Sequence, residues 1–422
     1  MIALALAIPF LFLHIKYQPG VRVPFGSTHL GLEMSDLAVV VVALVALREG
    51  MRHGFGRLRP SLGLWLASAA LLIWIFVRSQ SLTHLVTAAK FAEYSLLAVS
   101  LPLILRRRSQ WEVVAAVVGA WSVVATFVGL LQIFGLGIAD AWAAGRRQPS
   151  FLGHSDFAAL SAFALAIGLA AVLVARRRVG WVVVGSGVLG LMLAGATAGL
   201  IGTAAGAFGL LVSIARRRRL ELRDLTVTGG VVGLVAAGVL VLRAGDFEHF
   251  LRFLHLKAKE TQSSNIETYS QHTLLAYIGY RIWRAHPVAG AGWQASTEPA
   301  TVDPQLPAAR HKFPNVSPLA FPTRKHEWGV QNAYVQAAAD LGALGALLWL
   351  LPFALALLLA LRANAPPCGV ATFTILGAMG VWVGQGLVAG IPLDAVMWLG
   401  FGLAATAAAQ RTSAPARGKW AT

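Results

Sequence analysis

The chain has 422 residues, of which 57% are hydrophobic and 13% charged, and it carries a formal net charge of +17. That balance excludes an ordinary soluble domain and fits a protein whose main solvent is a bilayer. The positive charge is no nucleic-acid signature either. Its arginines stand in short clusters at the ends of apolar runs, the pattern of loops held by the positive-inside rule, so no nucleic-acid partner is expected.

The apolar runs are long and unbroken rather than alternating, so each has to satisfy its backbone as a helix. The fold expected is an all-α polytopic membrane protein with about 12 transmembrane helices and one large extracytoplasmic loop. Spans fall near 1–15, 33–47, 61–77, 82–105, 112–137, 155–175, 179–196, 198–215, 225–243, 332–361, 369–388 and 391–410. The run from Met1 to Leu13 has no basic residue before it and no small-residue cleavage site, so it reads as the first span and not as a cleaved signal. With the N-terminus inside, the clusters around Arg48 to Arg59, Arg106 to Arg108, Arg176 to Arg178, Arg216 to Arg223 and Arg362 all fall on the cytoplasmic side. This places the chain in a bacterial inner membrane with both termini cytoplasmic.

Residues 16–32, 139–154 and 244–330 then face outward. The chain divides into an N-terminal block of about nine helices (1–243), an extracytoplasmic loop domain (244–331), about three further helices (332–410) and a cytoplasmic tail (411–422). Within the loop, Phe247 to Lys259 and Leu274 to Ala285 have helical character. Its stretch from Pro299 to Pro322 carries six prolines and reads as irregular and partly mobile. The lone cysteine, Cys368, leaves no intramolecular disulfide to staple the loop. Lys90 and Glu93, three residues apart in the fourth span, are expected to pair with each other.

Three stretches carry a resemblance. Ser270 to Gly292 reads SQHTLLAYIGYRIWRAHPVAGAG, an amphipathic helix followed by a His-Pro-x-x-Gly-x-Gly turn. Gln331 to Gly345 reads QNAYVQAAADLGALG, in which a polar pair opens a helix and a Gly-x-x-Gly follows. Gly153 to Ala158 opens one span, and Leu193 to Ala205 is a helix of small residues. In order and spacing these resemble the O-antigen ligase and O-antigen polymerase family of membrane glycosyltransferases. That resemblance implies transfer of a glycan from a polyprenyl-diphosphate carrier to an acceptor hydroxyl, inverting, with no metal and no cofactor. The partners implied are the lipid-linked glycan donor, a glycan or glycolipid acceptor, and membrane lipids.

The departures are specific. Gln331 stands where the family's catalytic histidine would be, His272 stands where an arginine opens the loop helix, and Ala196 to Gly199 lacks the family's arginine. His326, five residues before Gln331, is taken as the displaced equivalent of that histidine. An imidazole titrates near pH 6.5 and can take the acceptor proton at neutral pH. Glu327 either orients it or is the base itself; the competing reading makes both surface residues beside Arg324 and Lys325.

The leaving diphosphate needs cations. Arg281 and Arg284 share a helix face one turn apart, with His272 on the same segment. Arg146 and Arg147 face outward against the positive-inside rule, which asks for a bound anion; lipid headgroups are the competing partner. Lys325, Gln331 and Asn332 complete the expected binding set. Two other readings stay open: a transporter or flippase of lipid-linked glycan, which would show broken helices with buried charges, and an inactive scaffold of surface-polysaccharide assembly.

Overall fold

The computed structural model describes all residues except 26–27, 216–217, 245–267, 324–328, 363–382, 385, 388–389, 392–394 and 414–422. Among the described residues, nine helices lead up to the loop: α1 (Ile2–Phe12), α2 (Met34–His53), α3 (Leu62–Val77), α4 (Leu82–Ile104), α5 (Arg108–Ile133), α6 (His154–Leu173), α7 (Gly180–Ala194), α8 (Thr197–Ala215) and α9 (Leu222–Leu242). The loop region contributes α10 (Thr268–Ala285) and the short α11 (Leu306–Lys312), and α12 (Ala333–Arg362) and α13 (Val396–Ser413) follow.

Every expected span except 369–388, most of which lies outside the described residues, meets one of these helices. Among the described residues, five helical stretches are long and apolar enough to cross a membrane: Gly56–Val77, Ser109–Ile133, His154–Leu173, Leu222–Leu242 and Ala333–Arg362. Shorter apolar helices stand among them, including Ile2–Phe12 and Gly180–Ala194. Helix α6 is sunk in the middle of the bundle, with Phe157, Leu160, Ala164 and Ala170 fully enclosed. The small and apolar residues along it let α7 pack closely, as association between apolar helices requires.

Contacts between loops sort the helix ends into two groups. At one end Arg57 donates to the Leu105 carbonyl, Arg106 donates to the Glu49 carbonyl, and Gln410 donates to the Leu105 carbonyl. At the same end Arg177 pairs with Glu112 at 3.3 Å and Arg176 with Glu221 at 3.6 Å. At the other end Lys16 pairs with Asp140 at 2.6 Å, and the His14 amide donates to the Phe151 carbonyl. Arg57, Arg106, Arg176 and Arg177, from three of the clusters, therefore share one end of the bundle.

Three features differ from expectation. Residues 16–32 contain an antiparallel hairpin, β1 (Gly20–Phe25) with β2 (Thr28–Glu33), that leads into α2. The proline-rich stretch is not irregular: a helical turn at Pro299–Val302 and α11 form within it, because their prolines sit in first turns, where a missing N–H costs nothing. Lys90 pairs with Asp36 of α2 at 2.6 Å instead of with Glu93, whose Oε1 is buried without a partner. The helix expected over Phe247 to Lys259 lies outside the described residues.

Residues 268–323 build a small core of their own. Leu274, Leu275, Ile278 and Ile282 of α10 are buried against Val302, Ala309 and Phe321. Their spacing of one, three and four residues marks the apolar stripe of an amphipathic helix. Ala339 of α12 joins this cluster and ties the loop to the bundle.

Candidate functional site

Helix α12 is not continuous. Gly342 leaves helical geometry with φ 71° and ψ −177°, which frees backbone groups in the turn around it. The turn after α10 enters this break and satisfies them. The amides of Ala291 and Gly292 donate to the carbonyls of Ala339 and Asp340 at 2.8 and 2.9 Å, and the Ala343 amide donates to the Pro287 carbonyl at 2.9 Å. Arg78 and Trp74 of α3 close the joint by donating to the Gly290 and Leu341 carbonyls. The carboxylate of Asp340, fully buried, accepts from the Ser296 amide and from Gln336 Nε2. The two motif stretches 286–292 and 331–345 are thus halves of one interlock, which fixes where α10 and the start of α12 sit.

A second pair of motif stretches meets beside it. His154, the first residue of α6, makes a hydrogen bond through Nδ1 with the Ala194 carbonyl at 3.2 Å. Trp142 lies edge-on to the His154 ring at 4.4 Å between centroids, and the Arg147 guanidinium lies 4.7 Å from the Trp142 ring, inside cation–π range. Gly195, at φ 56°, has no side chain to collide with Arg147, which passes directly over it. The turn Ala194–Thr197 is therefore wrapped by Arg147 on one side and His154 on another.

Arg243 joins the two halves. It ends α9 with only 6% of its surface exposed, and its Nη1 donates to Thr197 Oγ1 at 2.9 Å and to the Gly195 carbonyl at 3.5 Å. Its charge also reaches His272 of α10, whose imidazole is held far down, at about 4, by burial and then by the Arg243 charge. A side-chain hydrogen bond with Gln331 opposes that shift only in part. His272 is therefore neutral at pH 7. Its Nδ1 and the Nε2 of His154 are both buried with no hydrogen-bond partner. Both nitrogens stand near arginines and are free to bond a further partner.

The expected residues divide as follows. Arg147, His272 and Gln331 come into this cluster. Arg146, next in the chain, is exposed. Arg281 donates to Gln305 at 3.2 Å, and nine residues of helix separate it from His272, about half a turn round and roughly 13 Å along α10. Arg284 is exposed at the end of that helix. Asn332 caps α12, accepting from the Val335 amide at 3.0 Å, and donates to the Leu387 carbonyl. Lys325, His326 and Glu327, which include the expected base, lie outside the described residues.

Sequence reasoning missed Arg243, His154 as a site residue, and Trp142. Arg243 closes a span expected to end on the outward side, where an arginine breaks the positive-inside rule just as Arg147 does, and that is the signal that marks it. The pairing of Gln331 with His272 joins two positions at which the chain departs from the family pattern. No family model matches the chain, and no curated protein matches it either.

Proposed function

We propose that this protein is a membrane glycosyltransferase whose active site is the Arg147–Arg243–His272 cluster on the extracytoplasmic face, taking glycan from a polyprenyl-diphosphate donor. The observation that carries the reading is a buried guanidinium, Arg243, hydrogen-bonded to the Gly195–Thr197 turn and near enough for its charge to lower the His272 imidazole, whose Nδ1 has no partner. Guanidiniums suit a diphosphate because they stay charged and donate in pairs to its oxygens. In the step proposed, an acceptor hydroxyl oxygen attacks the anomeric carbon, the bond from that carbon to the diphosphate oxygen breaks with inversion, and the hydroxyl proton passes to a base. Polyprenyl diphosphate leaves with its charge held by Arg147 and Arg243. His326 or Glu327 is the base expected from the chain's resemblance, and His272 hydrogen-bonds the reacting groups from its place beside Arg243.

One observation favours the transport reading: α12 is broken and carries a buried acid at the break. The break is filled by backbone from 287–292, however, and both Asp340 oxygens have partners, so it supports a rigid joint better than a moving one. Reconstitution with a polyprenyl-diphosphate oligosaccharide labelled in the sugar separates the two. The enzyme reading requires label covalently joined to a second molecule with release of polyprenyl diphosphate; label that merely changes leaflet, with the donor intact, establishes transport instead.

A further inference from the structure

A cavity of about 640 Å³ lies at the end of the bundle opposite the candidate site, among α1, α5, α6, α7 and α13. Its walls are apolar, with Leu4, Phe12, Val118, Phe163 and Leu403 among them. Along α5 it runs from Trp111 to Val123, a rise of roughly 18 Å. Its charged residues are Arg57, Arg106 and Arg177 against the single carboxylate of Glu112, which pairs with Arg177 at 3.3 Å and leaves the cations in excess.

Three facts bear on what fills it. An apolar space of this kind stays dry, and between membrane-crossing helices the material at hand is hydrocarbon. The hydrogen bonds of Arg57 go to the Pro102 and Leu105 carbonyls and those of Arg106 to the Leu103 and Glu49 carbonyls, which orient the guanidiniums without cancelling their charge. Trp111 also lines the cavity, with a buried indole N–H that has no acceptor. An apolar channel as long as an acyl chain, ending in excess positive charge, matches an anionic amphiphile.

We infer that this cavity holds one acyl chain of an anionic phospholipid from the leaflet at that end, with the lipid phosphate against Arg106 and Arg177. The site is separate from the glycan-transfer reading and stands whether or not that reading does. The lipid fastens α1 to α5 and α6 where protein packing leaves a gap.

Native mass spectrometry of the full chain, stripped of lipid in detergent and then offered phosphatidylglycerol or phosphatidylcholine with matched chains, tests it. Phosphatidylglycerol should stay bound in preference to phosphatidylcholine. Arg177→Glu, at an exposed side chain, should lower its retention about tenfold, the loss expected of one charge-assisted contact, and leave phosphatidylcholine adducts as they were. Ala120→Phe, which fills the channel from an exposed position, should lower retention of both lipids. Equal retention of the two lipids overturns the proposal, as does parental retention in both variants. Occupancy by inorganic phosphate that competes fully with the lipid makes this an anion site only, and stronger retention of polyprenyl phosphate than of phosphatidylglycerol assigns it to another lipid; either result also overturns the proposal.

Discussion

Gly290 and Gly342 face each other across the joint between the loop and α12, both at positive φ, 74° and 71°. A Cβ on Gly290 would strike the Asp340 carbonyl, and one on Gly342 would strike the Val288 carbonyl. Neither obstacle is a side chain that can swing aside. Gly342→Ala is expected to cost about 3 kcal/mol or more, from strain at an unfavourable φ added to a backbone collision. Thermal unfolding in detergent checks this, and a variant as stable as the parent would show that the interlock does not hold the loop.

Lys90 and Asp36 form a 2.6 Å ion pair with side chains 23% and 8% exposed. Removing one member leaves the other charge without its partner in a poorly solvated place. Lys90→Met alone or Asp36→Asn alone should each destabilise by about 3 kcal/mol, and the double variant by clearly less than the two together. A double-variant cycle measured by thermal unfolding reads the difference. Simple additivity would mean that Lys90 answers instead to Glu93, as the sequence spacing had implied.

His272 gives a pH dependence whose sign is fixed. The unfolded chain takes up the proton near pH 6.5 and the folded one only near 4, so stability falls as pH drops through that window. A bound diphosphate opposes the Arg243 charge and raises the imidazole, so binding takes up a proton. Donor affinity should therefore increase as pH falls below neutral, by no more than about tenfold per pH unit, and stay flat above it. Titration of polyprenyl diphosphate binding between pH 5 and 8 measures this. His272→Gln should flatten the profile; an unchanged slope in that variant would assign the proton elsewhere.

Helices were legible in the sequence because bilayer-length apolar runs leave the backbone no other solution, and their common end followed from the arginine clusters. The hairpin at Gly20–Glu33 was not, since strand pairing outside the bilayer leaves no comparable run to read. The motif stretches 286–292 and 331–345 meet for a reason the sequence could not display: Gly290 and Gly342 serve the interlock, while Arg147 and Arg243 come from separate stretches. Arg281, favoured for its place on an amphipathic helix, lies half a turn away from His272 and meets Gln305. Which face of α10 meets the bundle is decided by the Leu274–Ile282 stripe and its partners in 302–321, and that packing requires the fold.

In the proposed reaction Arg243 holds the donor's diphosphate during transfer of its glycan. Single-turnover transfer from a labelled polyprenyl-diphosphate oligosaccharide in proteoliposomes, comparing the parent with Arg243→Ala, Arg147→Ala and Arg281→Ala, tests it most directly. Each lost charge-assisted contact is worth about 1.5 to 3 kcal/mol, so Arg243→Ala should slow transfer by roughly tenfold to a hundredfold, with Arg147→Ala in the same range and Arg281→Ala near the parent. Parental rates in the Arg243 and Arg147 variants, with protein correctly inserted, would contradict the account.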